Sequence, residues 1–222
     1  MDYDKIKLAT LVVYIQCNVK SFPIDCESLL FSFNFKLKKY SEQSLKKKDK
    51  CLIYSKDAFT LKNTIYYNDE MPYNRIRFSL MHELAHKILE HSEPRTKQHE
   101  IEADYFASHI LAPRMAIHYS NCKNLNDVSK LFGLSFTAAE IAYSNYRNWH
   151  RWTVYHKMNL YDKLIYKHFY DSEYNGFVYK KNICTCSKPI FNSSSSQCNS
   201  CLSVRESLTY HYSTYSGIGL YG

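Results

Sequence analysis

The sequence predicts an α+β chain: a helical core with a small antiparallel sheet, followed by a small cysteine-rich module at the C-terminus. Three observations predict it. Apolar residues recur at helical spacing over 73–89 and again over 98–111. Asn63-Thr64-Ile65-Tyr66-Tyr67-Asn68 is rich in β-formers and closed by turn residues. Four of the eight cysteines, Cys184, Cys186, Cys198 and Cys201, crowd into the last fifth of the chain. The 222 residues are 45% hydrophobic and 23% charged with five Gly and five Pro, which excludes collagen-like and Gly/Pro-rich disordered classes. No apolar run approaches the roughly 18–20 residues of a membrane helix, and no secretory signal is legible at the N-terminus. The expectation is a cytoplasmic chain with no membrane partner, whose cysteines serve metal or stay free thiols.

The elements follow in order. In Lys5–Cys17, Leu8, Leu11, Val12 and Ile15 fall on one helical face. Asp25 is placed to N-cap a second helix running to about Phe33. Phe35–Tyr40, Cys51–Tyr54 and Asn63–Asn68 read as strands, with the lysine-rich 46–50 as a solvated hairpin tip. A long helix starts behind Pro72 and runs to Leu89; its buried stripe is Phe78, Leu80, Met81, Leu84, Ile88 and Leu89. A loop with Pro94 leads to a helix from about Gln98 to Leu111, stopped by Pro113. Leu125–Leu131, Gly133 and Ser135–Tyr143 read as helix, turn, helix. Residues 143–181 interleave aromatics with seven basic and three acidic residues, the most basic part of a chain with net charge +8. This divides the chain into 1–145, a connector 146–176 and a tail 177–222.

His82-Glu83-Leu84-Ala85-His86 is an H-E-x-x-H motif inside a predicted helix. Residues i and i+4 share a helix face, so both imidazoles reach one zinc ion at about 2.0–2.1 Å. Glu83 is then the general base beside the attacking water. A catalytic zinc needs a third protein ligand and an open position. In the next helix Glu100, Ala103, Asp104, Ala107 and Leu111 share a face, and the small alanines permit close approach. Glu100 is the candidate ligand and Asp104, one turn on, a candidate to orient a ligand histidine. His99 competes with Glu100 by chemistry alone, and Glu102 is a weaker candidate. The oxyanion donor is sought among Tyr105 and nearby histidines.

These residues carry a resemblance. Arg77-Phe78-Ser79-Leu80-Met81-His82-Glu83-Leu84-Ala85-His86, then Glu100-Ile101-Glu102-Ala103-Asp104-Tyr105-Phe106-Ala107 and Leu111-Ala112-Pro113, are similar to the ImmA/IrrE family of metallopeptidases over roughly residues 5–145. The strand Thr64–Asn68 fits as well. Met81 stands where the family usually has alanine, Ala85 where it has glycine, and His91 lies one residue beyond its common histidine. The resemblance implies a zincin-like core, His82, His86 and Glu100 as zinc ligands and Glu83 as base. It also implies a substrate: a helix-turn-helix repressor, cleaved to derepress genes of a mobile element or stress response. The Leu125–Tyr143 segment resembles the family's post-catalytic helices. Its second helix offers no Arg or Lys to read bases, so it is expected to be structural or a repressor-docking element.

Cys184-x-Cys186, eleven residues, then Cys198-x-x-Cys201 supplies four thiolates at ribbon-like spacing, which suits a closed structural zinc. Phe177–Tyr179 and Leu208–Tyr212 are the expected flanking strands. The expectation is thus two zinc ions, one catalytic and one structural. Tyr146–Trp152 with Tyr155-His156-Lys157 has the mixture that stacks bases and meets phosphates, yet an amphipathic helix with core aromatics has the same look, and nucleic acid is not the favoured partner. Two other readings stay open: an antirepressor that works by binding alone, and a SprT-type protease, in which His99 rather than Glu100 is the third ligand.

Overall fold

A computed structural model describes residues 3–204. Helices α1 (Tyr3–Gln16) and α2 (Cys26–Ser32) lead into strand β1 (Lys36–Lys39), helix α3 (Leu45–Tyr54) and the hairpin β2 (Ala58–Leu61) and β3 (Thr64–Tyr67). Helices α4 (Tyr73–Ile88) and α5 (Lys97–Leu111) follow, then α6 (Arg114–Tyr119), α7 (Leu125–Phe132), α8 (Phe136–Tyr155) and α9 (Leu160–Phe169). Two small hairpins follow, β4 (Tyr170–Asp171) with β5 (Gly176–Phe177), and β6 (Lys181–Ile183) with β7 (Pro189–Phe191), and residues 199–204 are helical. The expected α+β class holds. Leu208–Tyr212 lies outside the described residues. Among the described residues no helix is long and apolar enough to cross a membrane.

The main sheet has the order β1-β3-β2. It is antiparallel between β2 and β3, while β1 joins β3 in parallel, with Leu37 opposite Ile65. The strand expected at Cys51–Tyr54 and the hairpin tip expected at 46–50 are together one helix, α3. Lysine is a good helix former, and the helix turns Cys51 inward onto Tyr40 and Tyr66. The β-formers Ile53 and Tyr54 that suggested a strand face solvent. On its other edge β3 pairs with β2, at residues 58–61, where the sequence analysis names no element.

The face of α1 also differs from expectation. Leu8, Val12 and Ile15 are exposed, and the buried side carries Ile6, Thr10, Leu11, Val13 and Tyr14. Two polar-capable residues account for the rotation. Tyr14 donates to the carbonyls of His109 and Ile110, and the Thr10 hydroxyl lies 3.3 Å from that of Tyr161. Burial with partners satisfied tolerates such groups inside.

Helices α4 and α5 pack face to face, and the fully buried Ala103 and Ala107 let them come close, as the sequence indicated. Asp25 caps α2 by accepting from the N–H groups of Glu27 and Ser28, both at 3.1 Å. The turn between α7 and α8 requires glycine: Gly133 sits at φ 63°, where side chains rarely go, and its α-carbon backs onto the Arg77 guanidinium. Helix α8 runs unbroken through residue 145. Beyond it Trp149, Tyr161, Ile165, Phe169 and Phe177 belong to the same buried cluster as α1, α4 and α5.

Candidate metal centre

Helix α4 presents His82 and His86 one turn apart toward α5. Their Nε2 atoms are 3.1 Å apart. Glu100, in the first turn of α5, places one carboxylate oxygen 3.1 Å from His82 Nε2 and the other 3.6 Å from His86 Nε2. Three ligands at about 2.05 Å in tetrahedral array stand roughly 3.3 Å apart, so these separations suit a single ion. The donor atoms of His82, Glu83 and His86 lie within 4.8 Å of one another. Glu83 is buried and accepts from the Arg95 guanidinium at 3.3 Å.

The ring tautomers can be worked out from the partners. Asp104, one turn beyond Glu100, takes the Nδ1–H of His82 at 2.8 Å. His91 gives its Nε2–H to Glu102 at 3.2 Å, and Gln98 donates to the other Glu102 oxygen at 2.8 Å. The Nδ1 of neutral His91 is therefore a lone pair, and it accepts the Nδ1–H of His86 at 2.9 Å. In their neutral forms both candidate ligand histidines then present Nε2 without a proton. With His82 neutral, two nitrogen lone pairs and a carboxylate converge, an arrangement that a cation satisfies.

The two rings differ in their electrostatics. Burial pushes His86 down to about 3, helped by the charges of Arg95 and the neighbouring histidines, so it stays neutral. Burial also lowers His82, but the hydrogen bond and charge of Asp104, with Glu83 and Glu100, outweigh it and raise the ring overall. His91 is lowered, chiefly by burial and against the Glu102 hydrogen bond.

Asp104 lies 2.8 Å from the Nδ1 of His82, a candidate ligand. His99 does not join the cluster: its ring stacks on His91 with centroids 4.4 Å apart, and its Nδ1 accepts from the Thr96 N–H at the start of α5. The sequence pattern points neither to the His91–Glu102 hydrogen bond nor to Arg95: His91 and Arg95 lie between α4 and α5 in a polar loop with no periodic signal, and the displaced His91 is the single clue. Tyr105, considered for the oxyanion, packs on His109 and Tyr3 instead. The cleft over the His82, Glu83 and Glu100 side chains, about 530 Å³, is lined by Tyr54, Phe59, Phe78, Ser79 and Arg95 among others.

The second cluster lies in the tail. The four Sγ atoms of Cys184, Cys186, Cys198 and Cys201 fall within 4.8 Å of one another. Backbone N–H groups of Cys186 and Cys198 hold the Cys184 thiol down at about 6, and side-chain hydrogen bonds with Cys186, Cys198 and Cys184 push Cys201 up to about 12. In the aromatic and basic segment Trp149 is buried, with its indole N–H given to Asp162 at 2.9 Å, whereas Trp152 and Tyr155 are exposed. One of the segment's two tryptophans is thus core.

The family model of the IrrE N-terminal-like domain, Peptidase_M78, matches residues 34–144, half of the chain. No curated protein matches the sequence. The chain belongs to the IrrE N-terminal-like domain family, metallopeptidases of the IrrE/ImmA type, whose substrates are proteins.

Proposed function

We propose that this family member is a zinc-dependent endopeptidase with His82, His86 and Glu100 as ligands and Glu83 as general base and acid. The observation that carries the reading is the convergence of two bare Nε2 atoms and a carboxylate at 3.1, 3.1 and 3.6 Å. The donor set fits zinc: neutral imidazoles and a carboxylate, with one side open to the cleft. Zinc, when bound there, supplies a Lewis acid for the scissile carbonyl and acidifies a water.

The chain's own residues do the rest. Asp104 and His91 hold the two imidazoles in the tautomer that presents Nε2. Glu83 takes a proton from the attacking water and returns it to the departing amine nitrogen. Arg95, donating to Glu83, fixes that carboxylate's direction. The place of His99, stacked on His91 and turned to its own helix start, supports Glu100 as third ligand over the SprT-type arrangement.

The favoured substrate is a helix-turn-helix repressor, cleaved in the cytoplasm to derepress genes of a mobile element or stress response; this rests on the family alone. The test incubates zinc-loaded protein with repressors encoded beside it and reads fragments by mass spectrometry. Glu83→Gln should retain zinc and lose cleavage by about 10²–10⁴-fold, the range of a general acid–base residue. Equal derepression by wild type and Glu83→Gln, with no fragments, would mean an antirepressor that acts by binding.

A further inference from the structure

The tail holds a donor set that the peptidase reading does not use. The Sγ atoms of Cys186 and Cys198 are 3.6 Å apart. Four thiolates at about 2.3 Å around one zinc ion stand roughly 3.8 Å from each other, whereas a disulfide needs about 2.0 Å. The spacing matches the edge of a tetrahedron.

The backbone holds the two cysteine pairs in place. Cys184 and Cys186 sit on the turn of the β6–β7 hairpin, where Cys184 N–H donates to Lys188 and Ser187 N–H to the Cys184 carbonyl. The connection between the pairs is tied by Asn182, which donates to the carbonyls of Ser193 and Ser195 at 3.1 and 3.2 Å. Ser195 in turn bonds the carbonyl and N–H of Gln197. Cys198 N–H then points at Cys184 Sγ at 3.2 Å. Polar bonds of this kind place a loop but add little net stability. The hairpin's apolar content is slight: Ile190 is buried but Ile183 is 65% exposed. So small a module needs a cross-link or an ion to stay folded.

The base of the hairpin is fastened to the body. The Asn192 side chain accepts from the N–H of Tyr179 at 2.8 Å and donates to the Phe177 carbonyl at 2.9 Å. Lys181 N–H donates to Ser21 Oγ, and Phe22 N–H to the Tyr179 carbonyl, both at 2.8 Å. Two residues on, the Ile24 carbonyl accepts from Arg77 at 2.6 Å. Arg77 lies on α4, the helix that carries His82 and His86.

We propose that Cys184, Cys186, Cys198 and Cys201 form a second, closed site for a thiophilic divalent cation, zinc foremost, and that this ion clamps the tail hairpin to the 21–24 loop behind α4. All four positions are filled by protein sulfur, so the site does no chemistry. Its existence is independent of the peptidase reading.

The test uses the full chain. Zinc per chain is measured, and cobalt-loaded protein is examined for a near-ultraviolet thiolate-to-cobalt charge-transfer band. The expected result is a band in wild type that survives His86→Ala and Cys17→Ser/Cys122→Ser. It is lost in Cys186→Ser/Cys198→Ser, with one zinc fewer per chain. Cys186→Ser alone, at an exposed side chain, weakens the band in a protein whose circular dichroism is unchanged. Hydrogen exchange at the Phe22 and Lys181 amides quickens in the same cysteine variants. No band in wild type, unchanged zinc in the cysteine variants, or a Cys186–Cys198 disulfide in freshly purified protein would overturn the proposal. Failure of the peptidase reading has a different signature: His86→Ala then removes no zinc, while the cysteine-dependent ion remains.

Discussion

Asp162 offers the sharpest test of what joins the C-terminal helices to the catalytic core. Its carboxylate is fully buried. One oxygen takes both Arg114 Nε at 2.9 Å and Arg114 Nη2 at 2.8 Å; the other takes the indole N–H of Trp149 at 2.9 Å. The carboxylate thereby pins α6, α8 and α9 together across the 145/146 boundary suggested by the sequence. In Asp162→Ala the Arg114 guanidinium, 16% exposed, keeps its charge and loses its partner. Breaking a buried pair costs about 3–5 kcal/mol, and the orphaned indole N–H adds about 1–3 kcal/mol. Arg114 retains some water, which sets the sum at the low end, about 3–4 kcal/mol. That is a large share of a domain stability of roughly 5–15 kcal/mol. Urea unfolding followed by tryptophan fluorescence measures it. The paired replacement Arg114→Met/Asp162→Leu should recover most of the loss, because removing both charges removes the desolvation cost too. A loss under about 1 kcal/mol in Asp162→Ala, or a double variant no better than the single, would refute the reasoning.

Further outcomes follow from the two histidine environments. Asp104→Asn, which removes the carboxylate on His82 Nδ1–H, should weaken zinc binding by about 10–100-fold, read by chelator competition, with little change in melting of the zinc-free protein. His109 is pushed down to about 4, chiefly by burial, against its hydrogen bond to the Tyr105 carbonyl. A depressed histidine leaves the unfolded chain binding more protons below its own value of about 6.5, so stability is present above that pH and falls as pH drops toward 4. The loss at pH 5 should reach at most about 2 kcal/mol. His109→Gln should flatten this slope between pH 6.5 and 5 in zinc-free protein, and an unchanged slope would count against it.

The catalytic helices were legible because spacing and chemistry coincide there. His82 and His86 had to share a face, and Ala103 and Ala107 announced a close neighbour. The contact of Asp104 with His82, one turn from Glu100, follows from the same spacing. Where a residue type argues for one element and its surroundings for another, the reading failed. Ile53 and Tyr54 looked like strand, but burying Cys51 beside Tyr40 and Tyr66 decided for helix. In α1 the apolar count favoured Leu8, Val12 and Ile15, yet Thr10 and Tyr14 went inside because distant partners, Tyr161 and the end of α5, satisfy their hydroxyls. The His91–Glu102 relay depends on a loop path of its own, which no periodicity encodes. Trp149 could not be told from Trp152 by sequence, since the buried acceptor that selects it, Asp162, lies on another helix.

The most direct measurement is zinc per chain in Glu100→Ala and His99→Ala beside wild type. The expected result is one ion fewer in Glu100→Ala and none lost in His99→Ala, because Glu100 meets both Nε2 atoms while His99 stacks away from them. Loss of the ion in His99→Ala with retention in Glu100→Ala would contradict the metal centre described above.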